Sequence, residues 1–163
     1  MKMLRYFNKS FALYSAFILS LFAIDRITKI YVIHLDRINL QNFILKSEYL
    51  NIRLFWNEGI AFGLLQLQED NFYNILTSII IFIILIILFM ILRNRGFRKF
   101  SLILIFSGAL GNVYDRIFFK AVPDFIDFHI GEFHWFIFNV ADIFITLGVV
   151  FMILLEIYEN KKK

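Results

Sequence analysis

Between Ile79 and Leu92 the chain carries neither a charged nor a polar residue. Extended upstream to Phe72 and closed by Arg93, this run reaches the roughly 20 residues needed to cross a bilayer core. A helix apolar on every side belongs in the middle of a large core or in lipid, and 163 residues do not build a large core. Composition agrees. Apolar residues make up 60% of the chain, against about half in soluble domains.

Three further apolar segments follow the same logic, each interrupted by polar residues. Residues 11–35 contain Asp25, Arg26, Thr28 and Lys29; residues 100–119 contain Asn112, Asp115 and Arg116; residues 135–158 contain Asn139 and Asp142. With 72–92 they predict a mainly α, integral membrane protein of four transmembrane helices, forming one domain over 1–163. A cleaved signal peptide is the rival for the first segment, since Lys2, Arg5 and Lys9 precede it. The run is too long for one, lacks a small-x-small cleavage site, and continues into ionisable residues. Between the first two spans, residues 36–71 shift to short mixed stretches. Alternation from Tyr49 to Trp56 predicts a strand there, within a small extracytoplasmic β-rich segment.

Basic residues fall in three short clusters: Lys2, Arg5 and Lys9; Arg93, Arg95, Arg98 and Lys99; and Lys161 to Lys163. Four spans put all three on one side, which the positive-inside rule makes cytoplasmic, with both termini. Segments 36–71 and 119–134 then face outward. The net charge of +4 is explained by this topology, and no amphipathic basic stretch suggests nucleic acid. The absence of Cys excludes disulfides, thiolate metal sites and Cys nucleophiles.

At about 1.5 Å rise per residue, Asp25, Lys29, Asn112, Arg116, Asn139 and Asp142 all lie toward the outer end of the membrane, and Asp124 falls in the loop above it. A polar group facing lipid costs a few kcal/mol, so the helices are expected to turn these groups toward each other. Asp25 and Lys29, spaced i,i+4, can pair on one face, and Asn112 and Arg116 repeat that spacing. The bland readings are an ion pair that makes a helix insertable, helix-packing glue for Asn112 and Arg116, close approach for Gly108 and Gly111, and interfacial anchoring for Asp115, Arg116, His34, His129 and His134. Trp56 and Trp135 suit an aromatic belt. His34, His129 and His134 could in principle bind zinc with a carboxylate, but a His-x-x-x-x-His pair in a boundary segment is weak evidence.

Asp124 and Asp142 resist such readings, because neither has a cation beside it in a position where carboxylates are expensive. Two carboxylates in one site share a proton, so one can act as base toward water while the other polarises a carbonyl. That is the chemistry of an aspartic peptidase. The same residues could serve a small proton-coupled transporter, although such proteins usually show internal repeats and polar groups at the midplane. A membrane scaffold with a polar packing core is a further alternative. No HExxH, GxSxG or phosphate-binding loop is present.

In order along the chain, Asp25-Arg-Ile-Thr-Lys29, Asn57-Glu-Gly-Ile-Ala-Phe-Gly63, Gly108-Ala-Leu-Gly-Asn-Val-Tyr-Asp-Arg116, Val122-Pro-Asp-Phe-Ile-Asp127 and Phe138-Asn-Val-Ala-Asp142 resemble the motif series of the bacterial lipoprotein signal peptidases, the type II signal peptidases. The resemblance covers about residues 20–150. Pro123 stands where an aliphatic residue is frequent. The resemblance implies that Asp124 and Asp142 are the catalytic pair and Asp127 a decoy. It also implies that Asn57, Gly59, Asn112, Arg116 and Asn139 line the site, with Asp25 and Lys29 in support. The implied substrate is a prolipoprotein signal peptide, cut before a diacylglyceryl-modified cysteine, by a monomeric enzyme of the inner membrane using no metal or cofactor. Residues 36–71, with Trp56, Phe62 and Leu64 to Leu67, are expected to form a strand-rich cradle and interfacial lid over the site.

Overall fold

The computed structural model describes residues 2–39, 43–59 and 70–162. Its elements are α1 (Lys2–Ile38), β1 (Leu50–Asn57), α2 (Asp70–Arg93), α3 (Gly96–Phe119), β2 (Val122–Ile130), β3 (Phe133–Phe138) and α4 (Val140–Asn160). Three helices are long and apolar enough to cross a membrane, in Tyr73–Arg93, Gly96–Phe119 and Val140–Asn160. Among the described residues, three of the expected four spans are met on length and composition; α1, which holds Asp25, Arg26 and Lys29, is not one of them. The hydrophobic lid residues Phe62 and Leu64 to Leu67, and the Ala61 to Gly63 end of the second motif, lie outside the described residues.

Helix α3 occupies the centre. Of its membrane-length window 56% is buried, against 17% for α2 and 11% for α4, so α3 is the shared wall and the others present apolar flanks. Ile91, Leu102 and Ile103 form the packed apolar cluster, joined by Phe17, Met90, Phe106 and Met152. Phe82, Leu85 and Phe89 on α2 and Ile153 and Leu154 on α4 stand exposed, a surface suited to lipid. Helix α1 shows the same inversion in its second half: Ile24, Ile27 and Ile30 are exposed while Asp25 and Lys29 are fully buried.

Local chemistry sets the ends of these elements. Only Asn94 and Arg95 separate α2 from α3, so the two helices must run antiparallel, and Arg98 and Lys99 belong to α3 instead of a loop. At the far end Lys120 takes the left-handed conformation (φ 59°) that stops α3. Gly131 (φ 58°) and Glu132 make the tight turn between β2 and β3.

The sheet corrects the expected layout. Strand β1 falls where alternation placed it, but its partners β2 and β3 come from the connection between α3 and α4, in the order β1-β2-β3, all antiparallel. Residues 135–138, expected to open the fourth span, are in β3, and α4 starts only at Val140. The physical stop is Asn139. Its side chain accepts from the Asp142 N–H at 3.1 Å, and Asp142 accepts the Asn139 N–H at 3.1 Å, closing a capping box.

Candidate active site

Two polar clusters meet where α1, α3 and α4 converge beneath the sheet. The first is ionic. Asp25 on α1 pairs with Lys29 one turn on (3.0 Å) and with its neighbour Arg26 (2.8 Å). Asp115 on α3 receives Arg26 Nη1 and Nη2 at 2.5 and 2.7 Å and Lys29 Nζ at 2.7 Å. Two acids and two bases thus balance in a region where Asp25, Lys29 and Asp115 have essentially no exposure. The Arg26 guanidinium also lies 4.8 Å over the Tyr114 ring. Gly111 makes room, since a Cβ there would come within 2.5 Å of Asp25 Oδ2.

The second cluster holds two carboxylates and, among the described residues, no cation in direct contact. Asn139 touches both. Its Nδ2 donates to Asp124 Oδ1 at 2.6 Å and its backbone N–H to Asp142 Oδ2 at 3.1 Å. Asn57, at the end of β1, donates to Asp124 Oδ2 at 2.9 Å. Asn112 on α3 donates to Asp142 Oδ1 at 2.8 Å while its own carbonyl accepts from Lys29 Nζ at 2.8 Å. Lysine can only donate, so it fixes the Asn112 amide with its N–H groups toward Asp142. Asn112 is therefore the joint between the two clusters.

Burial first, and then the neighbouring Asp142 charge, push the Asp124 carboxyl up to about 7 against the downward pull of Asn57, Asn139 and Lys29. A carboxyl that changes protonation near neutrality, next to a second carboxyl, can hold or release a proton during a reaction. Capping alone would account for Asn139 and Asp142, but not for buried Asp124 or for the bond from Asn112.

Asp127 lies apart. Strand β2 runs unbroken from Val122 to Ile130, so residues three apart point to opposite faces. The extra residue in β1 between Ile52 and Phe55 lets Asn57 reach Asp124 on one face and Asn51 reach Asp127 (3.4 Å) on the other. Asp127 also pairs with His134 at 2.8 Å. Asp127, His129 and His134 are the residues grouped closely enough to hold a metal ion among those described, and they are not part of the carboxylate pair.

Arg116 is near the site but turned elsewhere. Its Nη2 donates to Gly59 O at 2.7 Å, and Gly59 N–H donates to Asn57 Oδ1 at 2.9 Å, so Arg116 braces the turn that carries Asn57. The sequence reading of Asp115 as an interfacial anchor is corrected: it is wholly buried and central to the ionic cluster. Arg26 went unassigned for the same reason. Their pairing crosses from α1 to α3, and helical spacing reports only neighbours on one helix.

A family model described as signal peptidase (SPase) II matches residues 17–158. The chain is 48% identical over 155 residues to a lipoprotein signal peptidase of Pelagibacter ubique (strain HTCC1062), covering 95% of this chain and 93% of that one. It is 42% identical over 120 residues to that of Francisella tularensis subsp. novicida (strain U112), covering 71% and 74%. Among solved structures it is similar to a bacterial membrane enzyme determined by the in meso method at 2.3 Å, with TM-score 0.72 and 25% identity over 93% of this chain and 92% of that one.

Proposed function

The chain belongs to the signal peptidase II family and is a multi-pass membrane peptidase, and from that premise we propose that it removes prolipoprotein signal peptides with Asp124 and Asp142 as a proton-sharing dyad. The observation that carries this reading is the single residue Asn139 binding both carboxylates, with no cation in contact with either one among the described residues.

With its carboxyl raised to about 7, Asp124 is about half protonated at neutral pH, and the reacting form is the one in which it holds the shared proton. Asp142 is then the base. It removes a proton from water as the water oxygen bonds to the scissile carbonyl carbon, and Asp124 passes its proton to the carbonyl oxygen. In the second step the C–N bond breaks, the hydroxyl proton returns to a carboxylate, and the amine leaves with the other proton, so one water is consumed and the dyad regains its starting state. Asn57, Asn112 and Asn139 hold the two carboxyls in place; Arg116 and Gly59 support Asn57. Removing either acid-base partner is expected to lower rate by about 10² to 10⁴-fold.

The surroundings suit a lipidated substrate. A cleft of about 390 Å³ lined by Phe136, Phe138, Ile143, Ile145 and Leu147 opens beside Asp142, a lining suited to an apolar chain. A signal peptide is itself an apolar helix in the bilayer, and a diacylglyceryl cysteine would anchor its outer end at the depth of the dyad. In this reading α1 is the fourth span, its charges neutralised against α3; the whole chain is one monomeric peptidase domain in the inner membrane; and the basic clusters face the cytoplasm with both termini. A topology reporter fused at Arg95 should read inside and one at Gly131 outside; the reverse would sink the orientation.

The catalytic test measures release of signal peptide from a diacylglyceryl-modified prolipoprotein in reconstituted membranes. Asp124→Asn and Asp142→Asn should each lose orders of magnitude in turnover with substrate binding retained. Asp127→Asn should keep substantial activity, and a chelator should leave the wild type active. Near-normal rates for either dyad variant would refute the assignment.

A further inference from the structure

We propose that Asp127, His129 and His134 form a binding site for a divalent transition-metal ion of the zinc type, on the face of β2 opposite the carboxylate pair. The site is built by a register shift. Between Asp127 and Phe128 the β2–β3 pairing is regular, with partners Ile137 and Phe136, but His129 then pairs with His134. Trp135 is the extra residue. In an unshifted register His129 would face Trp135, and His134 would point to the other side of the sheet. The bulge therefore brings His134 onto the face already shared by Asp127 and His129, two residues apart on β2.

The donors are close. One ligand atom from each residue lies within 4.8 Å of the other two, against about 3.4 Å between ligands placed tetrahedrally around an ion at roughly 2.1 Å. His134 Nδ1 already stands 2.8 and 2.9 Å from the two Asp127 oxygens, and its half-exposed side chain is free to rotate the remaining distance. Two imidazoles and one carboxylate, with a fourth position open to water, make the donor set of many zinc sites. Asn51 Nδ2 steadies the carboxylate from behind at 3.4 Å, as an outer-shell partner would.

An ion pair locking the hairpin explains Asp127 and His134 but leaves His129 over. Its Nδ1 is buried and has no hydrogen-bond partner among the described residues, although its ring stacks on His134 at 5.1 Å. A buried imidazole nitrogen aimed at no donor or acceptor is costly unless something binds it. A metal ion would use that nitrogen and clip β2 to β3, three residues beyond Asp124 on the same strand.

The test titrates zinc chloride into the full-length protein in detergent, stripped of metal and purified through a tag free of histidine, and follows heat by calorimetry. One zinc ion per chain is expected. His134→Ala and Asp127→Asn should each weaken binding by at least about 100-fold, the upper end of what loss of an outer-shell partner costs. His134 is exposed, so its variant should fold, and cobalt(II) replacing zinc should give the visible absorption of a tetrahedral site in the wild type only. Absence of stoichiometric binding, or binding equally strong in both variants, would overturn the proposal.

Discussion

The ionic cluster and the carboxylate pair lie side by side, joined through Asn112, and each holds two aspartates, yet they are neutralised in different ways. Asp25 and Asp115 are answered by Arg26 and Lys29, with the Ala141 N–H also donating to Asp25. Asp124 and Asp142 are answered by amides and backbone N–H groups. Amide donors orient a carboxylate without supplying positive charge, so the second pair depends on a proton for balance. A membrane helix can carry charged residues for structure or for chemistry, and the species that neutralises them separates the two cases.

The largest effect should come from breaking the balanced cluster. Removing one member leaves a buried charge unpaired, at a cost of about 3–5 kcal/mol. Lys29→Met and Asp25→Asn should each lower the melting temperature in detergent sharply, and the double variant should lose less than the sum. Additive losses would mean that the four charges do not act as one unit.

A smaller and more selective effect is expected on the amide side. The Asn57 bond favours the charged form of Asp124, so Asn57→Ala should move the alkaline fall of cleavage activity upward by about one pH unit, the scale of one hydrogen bond to a charged group. A uniform loss of rate with an unshifted profile would make Asn57 merely structural. Stability carries the matching sign. The folded Asp124 keeps its proton up to about pH 7, whereas the unfolded carboxyl releases it near 3.8. Between those values the unfolded state binds fewer protons, so this group's contribution falls as pH rises and is level above about 7.

Much of this contrast was legible in the chain, and the gaps have physical causes. The charge-free run at 79–92 led directly to α2, and alternation from Tyr49 led to β1. Strands β2 and β3 were missed because Trp135 to Phe138 is a short, wholly apolar run that a strand and a helix can both use. The stop signal was present in Asn139, three residues before Asp142. Depth along the helices was enough to bring Asn112, Asn139, Asp124 and Asp142 to one place. It could not show which cation answers which acid, so Asp115 and Arg26 were misjudged, nor that one bulge at Trp135 would turn His134 toward Asp127.

The central claim is that Asp124 exchanges a proton near neutral pH. Infrared spectroscopy of the protein in membranes separates the C=O stretch of a protonated carboxyl from the bands of carboxylates. A protonated-carboxyl band should be present at pH 6, disappear with a midpoint near 7, and be missing from Asp124→Asn. A band unchanged in Asp124→Asn, or no titrating carboxyl in that range, would contradict the account.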